Sequence, residues 1–122
     1  MRNKIIAFDL DDVLCFRSSN KGDIEKYNTC LPNKKMISIL NQCYSKGYKI
    51  IIYTARGMSV NKGNVSDIYS NLFNLTETQL KNWGINYHQL VMGKLHFDLF
   101  IDDKAVNSSN INSFDDIENY LN

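Results

Sequence analysis

The sequence lacks several features that would place a protein in a special class. It contains no apolar run close to the roughly 18 residues that a membrane-spanning helix needs. Its 14 Lys and Arg residues nearly balance its 13 Asp and Glu residues, and the formal net charge of +1 gives no support to a nucleic-acid or membrane partner. Repeats, low-complexity tracts and linkers are also missing, so we expect residues 1–122 to form a single domain.

Cysteine is scarce as well. Cys15, Cys30 and Cys43 are odd in number, and they share no spacing that is typical of metal ligands. We interpret them as buried, reduced thiols in a reducing compartment. The N-terminus starts with basic residues but meets acidic residues before a signal-peptide-like apolar stretch can develop. The expected location is therefore the cytoplasm.

Short apolar runs alternate with stretches of helical spacing. The runs predict strands, the first of them a buried central strand, at 4–8, 48–54, 87–93 and 97–103. Helical spacing is found over 36–44, 65–72, 80–83 and 114–121. Pro32 is expected in the first turn of the first helix, and Thr76 with Gln79, like Ser113 with Asp116, resembles a helix-capping box. Residues 14–31 show no clear period and are interpreted as a loop or flap.

This alternation predicts a parallel sheet that is covered by helices on both faces. In such sheets, ligands bind beyond the carboxyl ends of the strands. Asp9 and Asp11 follow the first apolar run, Thr54 ends the second, and Asp102 and Asp103 end the last. We therefore expect polar groups from three strands to lie close together at one edge of the sheet.

The stretch "FDLDDVLC" places Asp9, Asp11 and Asp12 within four positions. Carboxylates this close repel one another, so they need a nearby Lys, Arg or metal ion. Hard oxygen ligands at a strand edge suit Mg²⁺, which often accompanies phosphate substrates. One carboxylate could attack phosphorus to form an acyl phosphate, and a second, kept protonated by its neighbour's charge, could donate a proton to the leaving oxygen.

Four stretches, in this order, resemble the four motifs of the haloacid dehalogenase (HAD) superfamily of phosphatases. They are "DLDDV" from Asp9, "IIIYTAR" with Thr54, "MGKLHFD" with Lys94, and "FIDD". The stretches "TARGM", "GINYHQLVMGKLHFD" and "IDDKA" further resemble the small bacterial capsule and polysaccharide biosynthesis phosphatases of this superfamily. The chain departs from the family at Leu95, where that subgroup usually has Pro, and at Asp12, where the superfamily commonly has Gly.

The resemblance implies roles for the acidic residues. Asp9 would be the nucleophile and a Mg²⁺ ligand. Asp11 would act first as general acid and then as the base that activates water, while its carbonyl contacts Mg²⁺. Asp102 would bind Mg²⁺ directly, and Asp103 would support the metal directly or through water.

The resemblance also implies a phosphate site. Thr54 and the backbone N–H of Ala55 would hold the transferring phosphoryl group, and Lys94 would neutralise its charge and that of Asp9. Lys104 is an alternative to Lys94 because it directly follows the acid pair. Arg56 has two interpretations: it contacts substrate, or it pairs with a local carboxylate.

The spacing of the motifs bears on specificity. About 40 residues separate Val13 from Thr54, and about 40 separate Thr54 from Lys94. The strand–helix scaffold uses most of that length, so the resemblance implies a Rossmann-like three-layer α/β/α sandwich without a cap domain. Capless members often screen an open site by oligomerising, which makes a homo-oligomer possible. Arg17, Lys21 and Tyr27, in the flap, are candidates for contact with the leaving group.

The function expected from the sequence is a Mg²⁺-dependent phosphatase that hydrolyses a small phosphomonoester through an aspartyl-phosphate. The substrate class implied by the subgroup is a sugar phosphate in surface-polysaccharide biosynthesis. Three alternatives stay open: a phosphotransferase or mutase with the same nucleophile, a receiver-like signalling module, and a degenerate binding protein. The order of the acidic residues argues against the receiver, which needs its phosphoacceptor Asp at the end of a middle strand, where this chain has Thr54.

Overall fold

The structure, a computed structural model, describes residues 4–17, 27–58 and 62–122. The described part is an α/β protein with three helices, a parallel three-stranded sheet and a small antiparallel strand pair. In chain order the elements are β1 (Ile5–Phe8), β2 (Cys15–Phe16), β3 (Leu31–Pro32), α1 (Lys34–Ser45), β4 (Lys49–Thr54), α2 (Val65–Asn82), β5 (Gln89–Met92), a 3-10 turn (Ser108–Asn110) and α3 (Phe114–Leu121).

The main sheet has the strand order β1-β4-β5, and both strand pairs are parallel. Phe8 lies opposite Ile52, and Ile52 lies opposite Leu90. The strands predicted at 4–8, 48–54 and 87–93 are therefore confirmed. The central position predicted for the first of them is wrong within the described part of the sheet, because β4 lies in the middle and Ile5 at the edge is 55% exposed.

One face of the sheet carries the core, and the other does not. Alternate residues of a strand point to opposite faces, and the helices α1 and α2 pack against β4 and β5 respectively. The residues on the core-facing side are Ile6, Phe8, Ile50, Ile52, Thr54, Leu90 and Met92. On the other side Ile5 and Tyr53 are exposed. The described residues thus cover one face, and the coverage on both faces that the sequence predicted is not confirmed.

Helix α1 follows its predicted apolar spacing, with Met36, Leu40 and Cys43 buried. The prediction that Pro32 lies in its first turn is wrong, since Pro32 lies in β3 opposite Cys15. Asn33 caps the helix instead, because its side-chain oxygen can accept the backbone N–H of Met36 at 3.3 Å.

Helix α2 is one continuous helix where the sequence indicated two. Its N-cap is Asn64, whose side chain accepts from the N–H of Asp67 at 3.1 Å. The helix start predicted at Thr76 and Gln79 is wrong: both residues lie inside the helix and are buried. Their side chains bind Arg56, so a buried tertiary partner replaces the predicted cap.

The strand predicted over residues 97–103 is also wrong. This segment has no regular structure, and Leu99 and Ile101 are 76% and 87% exposed. Phe97 and Phe100 stack on each other at 4.9 Å between ring centroids and are exposed. A strand needs a neighbouring strand to pair with, and an apolar run in the sequence does not supply one.

The predictions for the last helix and for the flap have different outcomes. Ser113 and Asp116 form the predicted capping box of α3. Residues 14–31 contain the short β2–β3 pair, while residues 18–26 lie outside the described residues. No helix in the described part of the chain is both long enough and apolar enough to cross a membrane.

Candidate active site at the strand ends

The carboxyl ends of the parallel strands bring together residues that are far apart in sequence. Asp9 directly follows β1, Thr54 is the last residue of β4, and Lys94 comes two residues after β5. The backbone N–H of Lys94 donates to the carbonyl of Thr54 at 3.0 Å, which joins the ends of β4 and β5. The edge at which the sequence predicted the site therefore holds these three residues.

Asp9 and Lys94 form an ion pair at this edge. The distance from Lys94 Nζ to Asp9 Oδ2 is 3.2 Å, and Asp9 Oδ1 accepts from the N–H of Leu10 at 2.8 Å. The side chain of Asp9 is 40% exposed and that of Lys94 is 21% exposed, so a solute can reach the carboxylate. Lys94 Nζ also lies over the rings of Tyr53 and Phe97, 5.9 and 5.4 Å from their centroids.

The alternative lysine lies elsewhere. Lys104 Nζ contacts Asp103 at 3.4 Å, and both side chains are at least 80% exposed. The backbone N–H of Lys104 donates to Asp102 Oδ2 at 3.1 Å. Of the two candidates, the structure places Lys94 at Asp9.

The turn after β1 places the Asp11 side chain against Arg56. Asp12 adopts a positive φ of 70°, and its N–H donates to the carbonyl of Cys15 at 2.7 Å. Asp11 then accepts two hydrogen bonds from Arg56, at 3.1 Å from Nε to Oδ2 and 2.8 Å from Nη2 to Oδ1. Both oxygens of Asp11 act as acceptors in this bidentate pair.

Arg56 is the centre of a buried polar cluster. It is 2% exposed, and Nη1 donates to Thr76 Oγ1 at 3.2 Å and to Gln79 Oε1 at 2.6 Å. The guanidinium also lies over the ring of Tyr27, 4.7 Å from its centroid. Burial by itself lowers the pKa of Arg56, but the hydrogen bonds and charge of Asp11 outweigh it, and the pKa is raised. Of the two interpretations, pairing with a local carboxylate is the one the structure describes.

Sequence reasoning missed the partners of Arg56 on α2. The spacing of Thr76 and Gln79 resembles a helix cap, yet both residues lie between the buried Leu72 and Leu80 of one helix. Residues three or four apart lie on the same face of a helix. A polar pair within an apolar helical stripe is therefore a signal for a buried polar partner, and it was available in the sequence.

Two cysteines border the same cluster. The Sγ atoms of Cys15 and Cys30 lie 3.4 and 3.7 Å from Asp11 Oδ1, and Arg56 Nη2 lies 3.8 and 3.6 Å from them. A hydrogen bond between the two thiols raises the pKa of Cys15 and lowers the pKa of Cys30. Burial of Cys15 raises its pKa further. Asp11, Cys15 and Cys30 are close enough to share a metal ion. The Arg56 guanidinium, however, already contacts all three and supplies the positive charge beside them.

Thr54 ends β4, and Ala55 leads into the turn that follows. Thr54 is 1% exposed, and its Oγ1 accepts from the backbone N–H of Arg56 at 3.0 Å. The carbonyl of Ala55 accepts from the N–H of Met58 at 3.0 Å. These contacts hold the backbone of the turn at the strand edge, beside the carbonyl that Lys94 binds.

The acidic residues expected to hold Mg²⁺ are not gathered in one place. Within residues 4–17, 27–58 and 62–122, the group of His, Cys, Asp and Glu side chains close enough to share an ion is Asp11, Cys15 and Cys30. Asp9 is paired with Lys94, and Asp102 and Asp103 contact Lys104. In this arrangement the predicted ligands do not fit a Mg²⁺ site.

The three flap candidates have different surroundings. Arg17 forms an ion pair with Asp12 at 2.9 Å on the surface. Tyr27 is 4% exposed, and its backbone carbonyl accepts from Gln79 Nε2 at 2.6 Å, which joins the flap to α2. Lys21 lies outside the described residues.

Comparison with known proteins supports the fold and does not assign an activity. No family model matches the chain, and no curated protein matches it. The chain is similar to a target protein from Vibrio cholerae whose crystal structure has been solved, with 28% sequence identity, a TM-score of 0.78, and coverage of 97% of each chain. The described architecture is thus similar to one determined by experiment.

Proposed function

We propose that this protein is a phosphatase of the HAD type, with Asp9 as the nucleophile. The observation that carries the proposal is the exposed Asp9 carboxylate at the carboxyl edge of a parallel sheet, 3.2 Å from Lys94. A nucleophilic carboxylate must be reachable, and the group that it attacks carries negative charge. A lysine beside it can neutralise the phosphoryl oxygens as they approach.

In the proposed reaction, an oxygen of Asp9 attacks phosphorus, the ester P–O bond breaks, and the alcohol departs. Water then attacks the aspartyl-phosphate, which releases phosphate and restores Asp9. The backbone of Thr54 and Ala55 is proposed to position the phosphoryl group beside Lys94. Asp11 is the proposed proton donor to the alcohol. This role requires its carboxylate to take up a proton, and the oxygen that carries the proton must leave its contact with Arg56.

The proposed cofactor is Mg²⁺, and it requires Asp102 and Asp103 to approach Asp9. Two observations support this approach. Both carboxylates are exposed on a segment without regular structure, and their partner, Lys104, lies one or two residues away in the same segment. Both residues would supply the carboxylate oxygens that Mg²⁺ prefers as ligands.

Titration calorimetry with MgCl₂ tests the cofactor. We expect wild type to bind Mg²⁺ and Asp102→Asn to lose at least about tenfold in affinity, because the neutral amide oxygen of Asn binds Mg²⁺ more weakly than a charged carboxylate oxygen. Asp98→Asn is the matched control, since Asp98 is an exposed carboxylate on the same segment. Equal affinity in the two variants would contradict the metal assignment.

A second pair of variants tests whether Lys94 or Lys104 stabilises the phosphoryl group. We expect Lys94→Gln to lower kcat/KM at least about 100-fold, because one charge that stabilises the transition state is removed. We expect Lys104→Gln to retain most of the wild-type activity, since Lys104 contacts surface carboxylates. Steady-state kinetics on the preferred phosphomonoester measures both, and the reverse result would assign the role to Lys104.

The proposed substrate is a small phosphomonoester, with a sugar phosphate of surface-polysaccharide biosynthesis as the class that the resemblance favours. Phosphate release from a panel of phosphorylated metabolites, with and without Mg²⁺, tests it. A phosphorylated acceptor without free phosphate would identify a phosphotransferase or mutase instead. A receiver-like module would keep the phosphoryl group on the protein.

We also propose that the protein is cytoplasmic, has a three-layer fold without a cap domain, and acts as a homo-oligomer. The oligomer is supported by the sheet face with Ile5 and Tyr53, which the described residues leave uncovered, and by exposed apolar residues on the segment after β5, such as Leu99 and Ile101. Large exposed apolar surfaces commonly mark interaction sites, and parallel sheets are usually covered on both faces. Sedimentation velocity at several concentrations tests whether a second copy provides this cover.

A further inference from the structure

Cys15 and Cys30 lie on one face of the β2–β3 pair. Cys15 pairs with Pro32 across the two strands, and Cys30 directly precedes β3, two residues before Pro32. Residues two apart in an extended strand share a face, so Cys30 lies diagonally across from Cys15. Their Sγ atoms are within 4.8 Å of each other.

Both thiols also contact the same two groups. Each lies within 3.7 Å of Asp11 Oδ1 and within 3.8 Å of Arg56 Nη2. Cys15 is fully buried, whereas Cys30 is 7% exposed, so a small neutral oxidant meets Cys30 first. Cys43, the third cysteine, lies on the buried face of α1 and is not part of this cluster.

We propose that Cys15 and Cys30 form a reversible disulfide when the protein meets hydrogen peroxide. Cys30 sulfur attacks one peroxide oxygen, the O–O bond breaks, and the products are a sulfenic acid on Cys30 and one water. Cys15 sulfur then attacks the Cys30 sulfur, the S–O bond breaks, and the oxygen leaves as a second water with the Cys15 proton. The two thiols lose two electrons and two protons, and a dithiol reductant restores them.

The disulfide would change the surroundings of Asp11. An S–S bond is about 2.05 Å long, so the two sulfurs must move towards each other. The two S–H groups beside Asp11 Oδ1 are lost at the same time, and the contacts of both sulfurs with Arg56 change. The disulfide would therefore lie next to the Asp11–Arg56 pair. An effect of the disulfide on phosphatase activity rests on the proposed function, in which Asp11 is the proton donor.

Peptide mass spectrometry tests the disulfide independently of activity. Trypsin cleavage after Lys and Arg places the three cysteines on separate peptides, 5–17, 27–34 and 36–46. After peroxide treatment, blocking of remaining thiols and digestion without reductant, we expect peptides 5–17 and 27–34 to be joined. Dithiothreitol should separate them. A Cys43→Ala control should give the same cross-link, and Cys30→Ala should give none.

Three results would overturn the proposal. They are a cross-link that involves Cys43, one that joins two chains, and oxidation of Cys30 without any cross-link. If phosphatase activity is present, we expect the cross-linked protein to lose about 10- to 100-fold in kcat and to regain it with dithiothreitol, because small displacements of a catalytic group have effects of this size. A cross-link in a protein without phosphatase activity would leave the disulfide standing and reject only the proposed function.

Discussion

Asp9→Asn is expected to lower phosphate release at least about 1,000-fold, because an amide cannot serve as the nucleophile in place of a carboxylate. The substitution keeps the size of the side chain and an oxygen that can accept from the N–H of Leu10. It removes one partner of a partly exposed ion pair, which is worth at most about 1 kcal/mol, so the fold should persist. Phosphate release from the metabolite panel measures the effect. Acid-quenched intact mass should show a phosphoryl adduct on wild type and none on the variant.

Asp12→Asn is the matched control for this prediction. Asp12 lies in the same turn, its side chain is 63% exposed, and its partner is Arg17. Asn tolerates the positive φ of 70° at this position, so the same chemical change is made without backbone strain. We expect activity close to wild type. Equal losses in the two variants would assign the effect to the charge of the turn, and an unchanged Asp9→Asn would reject Asp9 as the nucleophile.

Arg56→Met is expected to lower the free energy of unfolding by about 3–5 kcal/mol, the cost of removing one partner of a buried ion pair. The Arg56 side chain is fully buried and that of Asp11 is 14% exposed. The variant leaves the Asp11 carboxylate, the Thr76 hydroxyl and the Gln79 amide without the donors that they now have from Arg56. Urea denaturation followed by circular dichroism measures the change.

Arg17→Met is the control for the loss of an arginine. Its ion pair with Asp12 lies at the surface, so the expected loss is at most about 1 kcal/mol. The double variant Arg56→Met with Asp11→Leu should recover part of the lost stability, since no buried charge is then left unpaired. If Arg56→Met were as stable as Arg17→Met, the buried cluster would contribute no net stability.

Local patterns predicted the elements that depend on neighbouring residues. The apolar runs before Asp9 and Thr54 form strands, and Ser113 with Asp116 caps α3, because periodicity and capping are decided within a few residues. The same logic failed at Thr76 and Gln79. In the sequence, a capping-box spacing inside a long helix looks the same as one at the start of a helix. The Arg56 guanidinium, which binds both side chains, is 20 or more residues away along the chain.

By itself, the sequence determined that three apolar runs pair as parallel strands and that the ends of the first two place Asp9 and Thr54 at one edge. That placement follows from strand polarity, which chain order and right-handed crossovers impose. The family resemblance predicted Lys94 beside Asp9, and the structure places it there. Only the tertiary structure decided that Arg56 takes the carboxylate of Asp11, that Cys15 and Cys30 meet beside it, and that residues 97–103 lie exposed. The first two outcomes depend on contacts between residues 15 to 45 positions apart, for which no local period carries information.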